Sequence, residues 1–255
     1  MSETYAVYSN GKTTIKVVYD DLPSDPREDE YYISTLACWH NRYDLGDKKV
    51  KKMDPEAYVN DLMNRYLPDK YDEYEEKSIK ERLELLESNN KIVYLPVAIY
   101  DHSGITMYVG SRYDHYDGQW DCSDVGFIWV DVEEVYKEWG GLKGDLNHPD
   151  IEKIEQELTE EVKTYDNYLT GEVFGFIRYD GTEEADSCYG FYGCPNLKED
   201  KNGLFAEAGV TEKDNLEEKD DFCDIEDFLL ENYPNLYEEK EEPETIMVRK
   251  VYTIV

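Results

Sequence analysis

The stretch GEVFGFIRYDGTEEADSCYGFYG, residues 171–193, is typical of a β-hairpin. Two strand-like runs stand on either side of Asp180–Gly181, a dipeptide that favours the tight turn between antiparallel strands. The segment therefore predicts strand, turn and strand. Working outward from this hairpin gives the expected fold of the whole chain.

The segment just before the hairpin, residues 149–169, has the clearest helical period in the chain. Its apolar positions form one stripe, consisting of Ile151, Ile154, Leu158, Val162, Tyr165 and Leu169. The other positions are mostly acidic, namely Asp150, Glu152, Glu155, Glu157, Glu160 and Glu161, against Lys153 and Lys163. Each pair of like charges three or four residues apart weakens a helix by a few tenths of a kcal/mol. A helix selected only for stability would have more lysines among these acidic residues.

The remainder of the chain alternates predicted strands and helices. Strands are predicted at 13–20, 31–40, 91–101, 104–110, 125–132 and near the C-terminus within 245–255. Helices are predicted at 53–66, where Asp54 can cap and Pro55 suits the first turn, at 71–88, and from Asp131 to Trp139. Pro96 lies inside a predicted strand, which favours an edge position or a bulge.

These elements predict an α+β fold with a mixed or antiparallel sheet and several amphipathic helices. We expect residues 1–194 to form a core domain and 195–255 to form an acidic segment packed on it. That second segment should contain a short amphipathic helix near 223–232 and the final strand.

Charge is the unusual property of this sequence. Sixty acidic residues against 27 basic ones give a net charge of −33, and residues 195–244 hold 18 acidic residues against five lysines. Such a charge repels nucleic acid and anionic membranes. Adaptation to high salt and simple solubility are two explanations, although 20 lysines argue against the first. A surface that binds a strongly basic partner is the explanation we favour.

Several features predict the compartment. The first residues lack the apolar core of a signal peptide, and no run approaches the ~20 apolar residues of a membrane span. The five scattered cysteines, interpreted as buried small side chains, are Cys38, Cys122, Cys188, Cys194 and Cys223. A reducing cytoplasm is therefore expected.

No motif for catalysis or cofactor binding stands out, and the chain lacks GxGxxG, P-loop and GxSxG patterns. A metal site remains an alternative, built from His102 and His115 together with Asp101, Asp114 and Asp117. Two weaker alternatives are Cys188 with Cys194 as metal ligands and Cys38 with His40 as a reactive thiol. We predict no enzyme activity, no cofactor and no metal.

Four segments carry a resemblance to known proteins: SDPREDEYYISTLACWHNRYDLGDKK (24–49), YLPVAIYDHSGITM (94–107), GQWDCSDVGFIWV (118–130), and the run from TYDNYLTGEVFGF to GFYG within 164–193. In these, the chain resembles a family of small proteins encoded by bacteriophages and mobile elements. The resemblance covers about two thirds of the chain and implies expression inside a bacterium, with the cytoplasm of an infected host as the location. It implies no particular activity.

Charge and resemblance together lead to one functional hypothesis. The protein is expected to be an acidic nucleic-acid mimic that occupies the Lys/Arg-lined channel of a host restriction or CRISPR nuclease. The alternatives are an enzyme or binder of a defence signalling nucleotide, and an acidic adaptor for another host protein. The predicted partner-binding residues are Glu152, Glu155, Glu157, Glu160, Glu161, Glu217, Glu218, Asp220, Asp221, Asp224, Glu226, Asp227, Tyr233 and Tyr237. The two tyrosines are predicted to stack on arginines of the partner.

Overall fold

The structure is a computed structural model that describes residues 2–28, 32–115, 120–138, 148–197, 203–219, 237–240 and 251–254. Contacts divide the chain into two compact units. The central unit is Ser24–Thr170, and the discontinuous unit combines Met1–Pro23 with Gly171–Val255. The boundary predicted at residue 194 lies within the discontinuous unit and does not coincide with either junction between units.

The secondary-structure elements are numbered in chain order. The strands are β1 (Thr4–Ser9), β2 (Thr13–Tyr19), β3 (Thr35–Cys38), β4 (Ile92–Asp101), β5 (Ile105–Val109), β6 (Cys122–Asp131), β7 (Val173–Asp180), β8 (Glu183–Tyr192), β9 (Glu217–Lys219), β10 (Tyr237–Lys240) and β11 (Val251–Ile254). The α-helices are α1 (Pro55–Tyr66), α2 (Tyr71–Tyr74), α3 (Ile79–Ser88), α4 (Val132–Glu138), α5 (His148–Thr170) and α6 (Leu204–Glu207).

The central unit is built on an antiparallel sheet with strand order β3-β6-β4-β5. Its side chains alternate between two cores, as the period of a strand requires. Leu36 and Ile128 pack in one core with Leu158 of α5, whereas Ala37 and Phe127 pack in the other with α1 and α3. Helices therefore cover both faces of this sheet.

The helices on the α1 and α3 face confirm one prediction and correct another. Asp54 caps α1, and its carboxylate accepts a hydrogen bond from the Ala57 N–H at 2.8 Å. The single helix predicted over 71–88 is wrong, because the chain breaks after Tyr74 and restarts at Ile79. Ser78 starts the new helix through a capping box with Glu81, which offers the backbone a local alternative to a continuous helix.

Pro96 lies beside a bulge in the central sheet, which is one of the two places predicted for it. Strand β4 pairs with both β5 and β6 and is not an edge strand, and the bulge is present between Val97 and Ala98. The Pro96 carbonyl accepts a hydrogen bond from the Gly110 N–H at 2.8 Å. Strand β3 is also shorter than the predicted 31–40 and covers Thr35–Cys38.

The discontinuous unit contains an antiparallel sheet with strand order β8-β7-β2-β1-β9. The hairpin predicted over 171–193 is confirmed as β7 and β8, with Gly181 at a φ of +65° in the turn. Ile15 and Phe176 of this sheet pack against Leu204 and Phe205 of α6. Strands β10 and β11 form a separate antiparallel pair, which confirms the predicted final strand.

These observations confirm the predicted α+β class, with antiparallel sheets and several helices. The helix expected near 223–232 lies outside the described residues. Among the residues that are described, no helix combines the length and the apolar character that crossing a membrane requires.

Candidate acidic interface

Helix α5 carries the densest row of predicted binding residues, and it is attached firmly to the central unit. Ile154, Leu158, Val162 and Tyr165 are buried against the sheet. The Tyr165 hydroxyl also accepts a hydrogen bond from the Gly46 N–H at 3.0 Å. The helix is thus a rigid support for the side chains on its outer face.

The outer face of α5 is acidic in the structure, as the sequence predicts. Glu152, Glu157 and Glu160 are exposed, and Glu155 is half-buried at one flank of the apolar stripe. The ammonium of Lys163 lies 3.7 Å from the Glu160 carboxylate. From Glu152 to Glu160 the helix rises about 12 Å, so the three exposed carboxylates stand at about one per 6 Å of axis.

Glu161 does not belong to this outer row, which corrects the sequence-based assignment. It borders the buried stripe on the other flank of α5, and its side chain is only 15% exposed. The Arg27 guanidinium donates to it at 2.8 Å, and the Ser34 hydroxyl donates to the same oxygen. Arg27 also donates to Asp47 at 2.8 Å, and the Arg27 side chain is 3% exposed. Glu161 therefore fixes the helix and is not available to a partner.

Burial and the neighbouring charges act in opposite directions on the pKa values of Glu161 and Arg27. Removal from water raises the pKa of Glu161, although the hydrogen bond from Ser34 and the Arg27 charge act in the opposite direction. Burial alone would lower the pKa of Arg27, but Asp47 and Glu161 outweigh it and raise that pKa. Arg27 thus keeps its charge and holds two buried carboxylates.

A second acidic group combines Glu155, a predicted binding residue, with two residues of α3 that the sequence-based assignment does not include. Glu87 is half-buried near the start of β4, and burial raises its pKa. The charges of Glu155 and Glu84 raise it further, against a hydrogen bond from the Tyr94 N–H that lowers it. Glu84, Glu87 and Glu155, called the Glu87 cluster below, therefore act on one another as like charges. Nothing local in the sequence indicates this cluster, because 68 positions separate Glu87 from Glu155.

The Glu87 cluster predicts an unusual pH dependence. A carboxyl whose folded-state pKa is raised stabilises the fold below its unfolded pKa of ~4.3, and that stability is lost as the pH rises through the folded value. We expect Glu87→Gln to raise the free energy of unfolding at pH 7 by about 0.5–1 kcal/mol, since it removes a partly buried charge and its repulsion by Glu155 and Glu84. At pH 4 the variant and the wild type should be nearly equal.

The measurement is urea unfolding at both pH values, with Glu157→Gln as a control that removes the same charge from an exposed position. A lower free energy of unfolding for Glu87→Gln at pH 7 would contradict the prediction, because it would show that the Glu87 carboxylate stabilises the fold.

The remaining predicted binding residues lie in the discontinuous unit. Glu217 and Glu218 lie on the edge strand β9, where Glu217 pairs with Lys219 at 3.1 Å. Burial raises the pKa of Tyr8 to about 12, and the charge of Glu218 is the next largest cause of that rise. Tyr237 begins β10. Five acidic residues and one tyrosine lie outside the described residues, namely Asp220, Asp221, Asp224, Glu226, Asp227 and Tyr233. The predicted binding residues of α5 and those from Glu217 to Tyr237 therefore belong to different units.

The histidines considered as metal ligands have other partners. His102 pairs with Asp121 at 3.3 Å, while His115 stacks on Tyr100 with ring centroids 4.5 Å apart. Asp101 pairs with Arg42, and Asp114 accepts from the Ser111 N–H at 2.6 Å. Asp117 lies outside the described residues. In the part of the chain that is described, no three His, Cys, Asp or Glu side chains are grouped to hold a metal ion.

The four cysteines that the structure describes divide between core and surface, and Cys223 lies outside the described residues. Cys38 and Cys122 are buried as expected, and burial raises the pKa of the Cys38 thiol to about 12, so it is protonated at neutral pH. His40 beside it accepts from the Tyr43 N–H through Nδ1 at 3.3 Å. Cys194 is exposed, contrary to expectation, and lies 2.7 Å from the Tyr5 hydroxyl. Cys188 is half-buried.

Negative charge is divided almost evenly between the two units. The central unit holds 34 acidic and 17 basic residues, a net charge of −17, and the discontinuous unit holds 26 and 10, a net charge of −16. Each unit by itself is therefore strongly acidic, and the C-terminal segment is not the sole source of the charge.

Comparison with protein families, with curated proteins and with solved structures finds no match for this chain.

Proposed function

We propose that this protein is a phage-encoded anti-defence protein that works as an acidic mimic of nucleic acid. It would act in the cytoplasm of an infected bacterium and occupy the basic DNA- or RNA-binding channel of a restriction or CRISPR nuclease. It would need no cofactor and would catalyse no reaction. The observation that carries the proposal is the exposed carboxylate row on α5, fixed to a folded body.

The charge density of that row is lower than that of a phosphate backbone. One strand of duplex DNA carries a charge every 3.4 Å of axis, and the exposed α5 row carries one about every 6 Å. Lys153 and Lys163 offset part of its charge. A preformed row also avoids the entropy cost that a disordered acidic tail would meet on binding.

The partner should be a protein surface that normally binds phosphates. Binding to such a surface competes for the electrostatic attraction that dominates non-specific nucleic-acid binding. An acidic face also increases the rate at which a basic partner is encountered. Both effects weaken as salt is added.

Reversing the α5 row is expected to abolish inhibition. The variant Glu152→Lys, Glu157→Lys and Glu160→Lys places cations where the partner's lysines and arginines would lie. We expect at least a hundredfold loss of nuclease inhibition, since like charges across an interface cost several kcal/mol. The experiment is a pull-down from bacterial lysate to isolate the partner, followed by its cleavage assay.

The matched control reverses three exposed acidic residues of β8, namely Glu183, Glu184 and Asp186. This variant has the same net charge but an intact α5 row, so it should retain most of the inhibition. Equal loss in both variants would assign the effect to net charge alone and contradict the proposed interface. Recovery of a partner without a nucleic-acid channel would favour the adaptor alternative.

A further inference from the structure

An apolar cleft of ≈460 Å³ opens on the central unit, beside α3 and strands β4 and β6. Its walls are mostly aromatic and aliphatic, comprising Trp39, Pro55, Ile79, Leu83, Tyr94, Pro96, Val97, Val125 and Phe127. Polar side chains in the lining come from Lys80, Ser111 and Asp124. Apolar walls with a few polar groups at the border are typical of a binding pocket.

Neighbouring contacts fix the aromatic rings of this cleft. The Trp39 indole N–H donates to the Met53 carbonyl at 2.8 Å, and Tyr94 packs edge-on against Phe127 with centroids 6.3 Å apart. Pro96 is exposed, and Trp39 and Tyr94 are half-buried. The cleft therefore has a partly exposed apolar rim over a floor of buried side chains, an arrangement that can receive an anchoring side chain of a partner.

Carboxylates flank the cleft on two sides. Burial, followed by the charges of Glu87 and Glu84, raises the pKa of Tyr94 to about 12. Asp124 stands at the other side, with 54% of its side chain exposed. The nearby cations are already close to carboxylates, since Lys80 lies 3.8 Å from Glu84 and Arg112 lies 3.8 Å from Asp124. Around the apolar cleft, three carboxylates (Glu84, Glu87 and Asp124) thus stand against two cations (Lys80 and Arg112), an excess of one negative charge.

We infer that this cleft anchors an apolar side chain of a basic partner segment, with Lys or Arg residues on both sides of the anchor. The inference rests on the proposed function, and it adds a chemical requirement to it. Charge complementarity selects the occupant, because an acidic border favours cations around whatever apolar group enters. The partner segment would thus combine a leucine or an aromatic residue with flanking arginines.

Two labelled peptides of equal charge test the inference against the full chain. One has the sequence Arg-Arg-Leu-Trp-Arg-Arg, and the other replaces Leu-Trp with Ser-Ser. Fluorescence anisotropy at low salt should give about tenfold tighter binding for the first, since its apolar side chains leave water in the cleft. Ile79→Ser should remove that preference, whereas Leu22→Ser, at a residue 90% exposed outside the cleft, should keep it.

The site of binding is tested by NMR with 15N-labelled tryptophan. The Trp39 indole resonance should shift when the first peptide is added and stay unchanged with the second, and this holds even if Ile79→Ser does not fold. Equal affinity for both peptides, no binding of either, or an unmoved Trp39 resonance would overturn the inference. Failure of the proposed α5 interface is recognised separately, by inhibition that survives reversal of Glu152, Glu157 and Glu160.

Discussion

Arg27→Ala should destabilise the central unit by about 3–5 kcal/mol, because it leaves two buried carboxylates without their shared cation. The Arg27 side chain is 3% exposed, and its partners Asp47 and Glu161 are 7% and 15% exposed. Neither carboxylate would be solvated well enough to replace the lost ion pairs. Urea unfolding followed by tryptophan fluorescence measures the loss.

Arg65→Ala is the matched control, since Arg65 pairs with Asp61 at 2.7 Å on the exposed side of α1. It should cost less than about 1 kcal/mol. The deficit of Arg27→Ala should also shrink toward pH 4, where protonation of Glu161, whose pKa is raised by burial, relieves the charge that Arg27 no longer balances. If Arg27→Ala and Arg65→Ala lowered the free energy of unfolding at pH 7 by similar amounts, the ion pairs of Arg27 with Asp47 and Glu161 would not be essential for holding α5 on the central unit.

Gly126→Ala is expected to have an effect of comparable size for a steric reason. A Cβ at this position would lie 1.9 Å from the Ala37 carbonyl oxygen across the β3–β6 pair, and its φ is +154°. Overpacking and backbone strain each cost about 1–3 kcal/mol, so a loss of about 3 kcal/mol or more is expected.

Gly104→Ala provides the comparison within the same unit, since no atom lies within 4 Å of the added methyl group. Its stability should stay within about 0.5 kcal/mol of the wild type. Thermal and urea unfolding of both variants measure the difference. A wild-type stability for Gly126→Ala would contradict the close approach of β3 and β6.

Local signals predict much of this fold. The Asp54–Pro55 helix start, the Asp180–Gly181 turn and the apolar stripe of α5 all act within a few residues, and all three predictions are confirmed. The break before α3 is also local, but the helical pattern of 71–88 conceals the Ser78–Glu81 capping box. Short polar caps can therefore outweigh a continuous periodic pattern.

Long-range pairing accounts for what the sequence does not predict. Glu161 belongs to the acidic pattern of α5, yet Arg27, 134 positions away, binds it in the interior. Pro96 predicts an edge position or a bulge, and the pairing of β4 with both β5 and β6 selects the bulge. The apolar cleft likewise combines Trp39, Ile79 and Phe127 from three distant segments.

The salt dependence of partner binding tests the central claim most directly. Dissociation constants for the isolated partner would be measured between about 50 and 400 mM salt, where screening changes most for exposed charges. The wild type should lose at least about tenfold in affinity, and neutralising Glu152, Glu157 and Glu160 to glutamine should weaken binding and flatten the slope. Neutralising Glu183, Glu184 and Asp186 to Gln, Gln and Asn should leave the slope unchanged. An affinity independent of salt, or the same slope for both neutralised variants, would contradict binding through a fixed carboxylate row on α5.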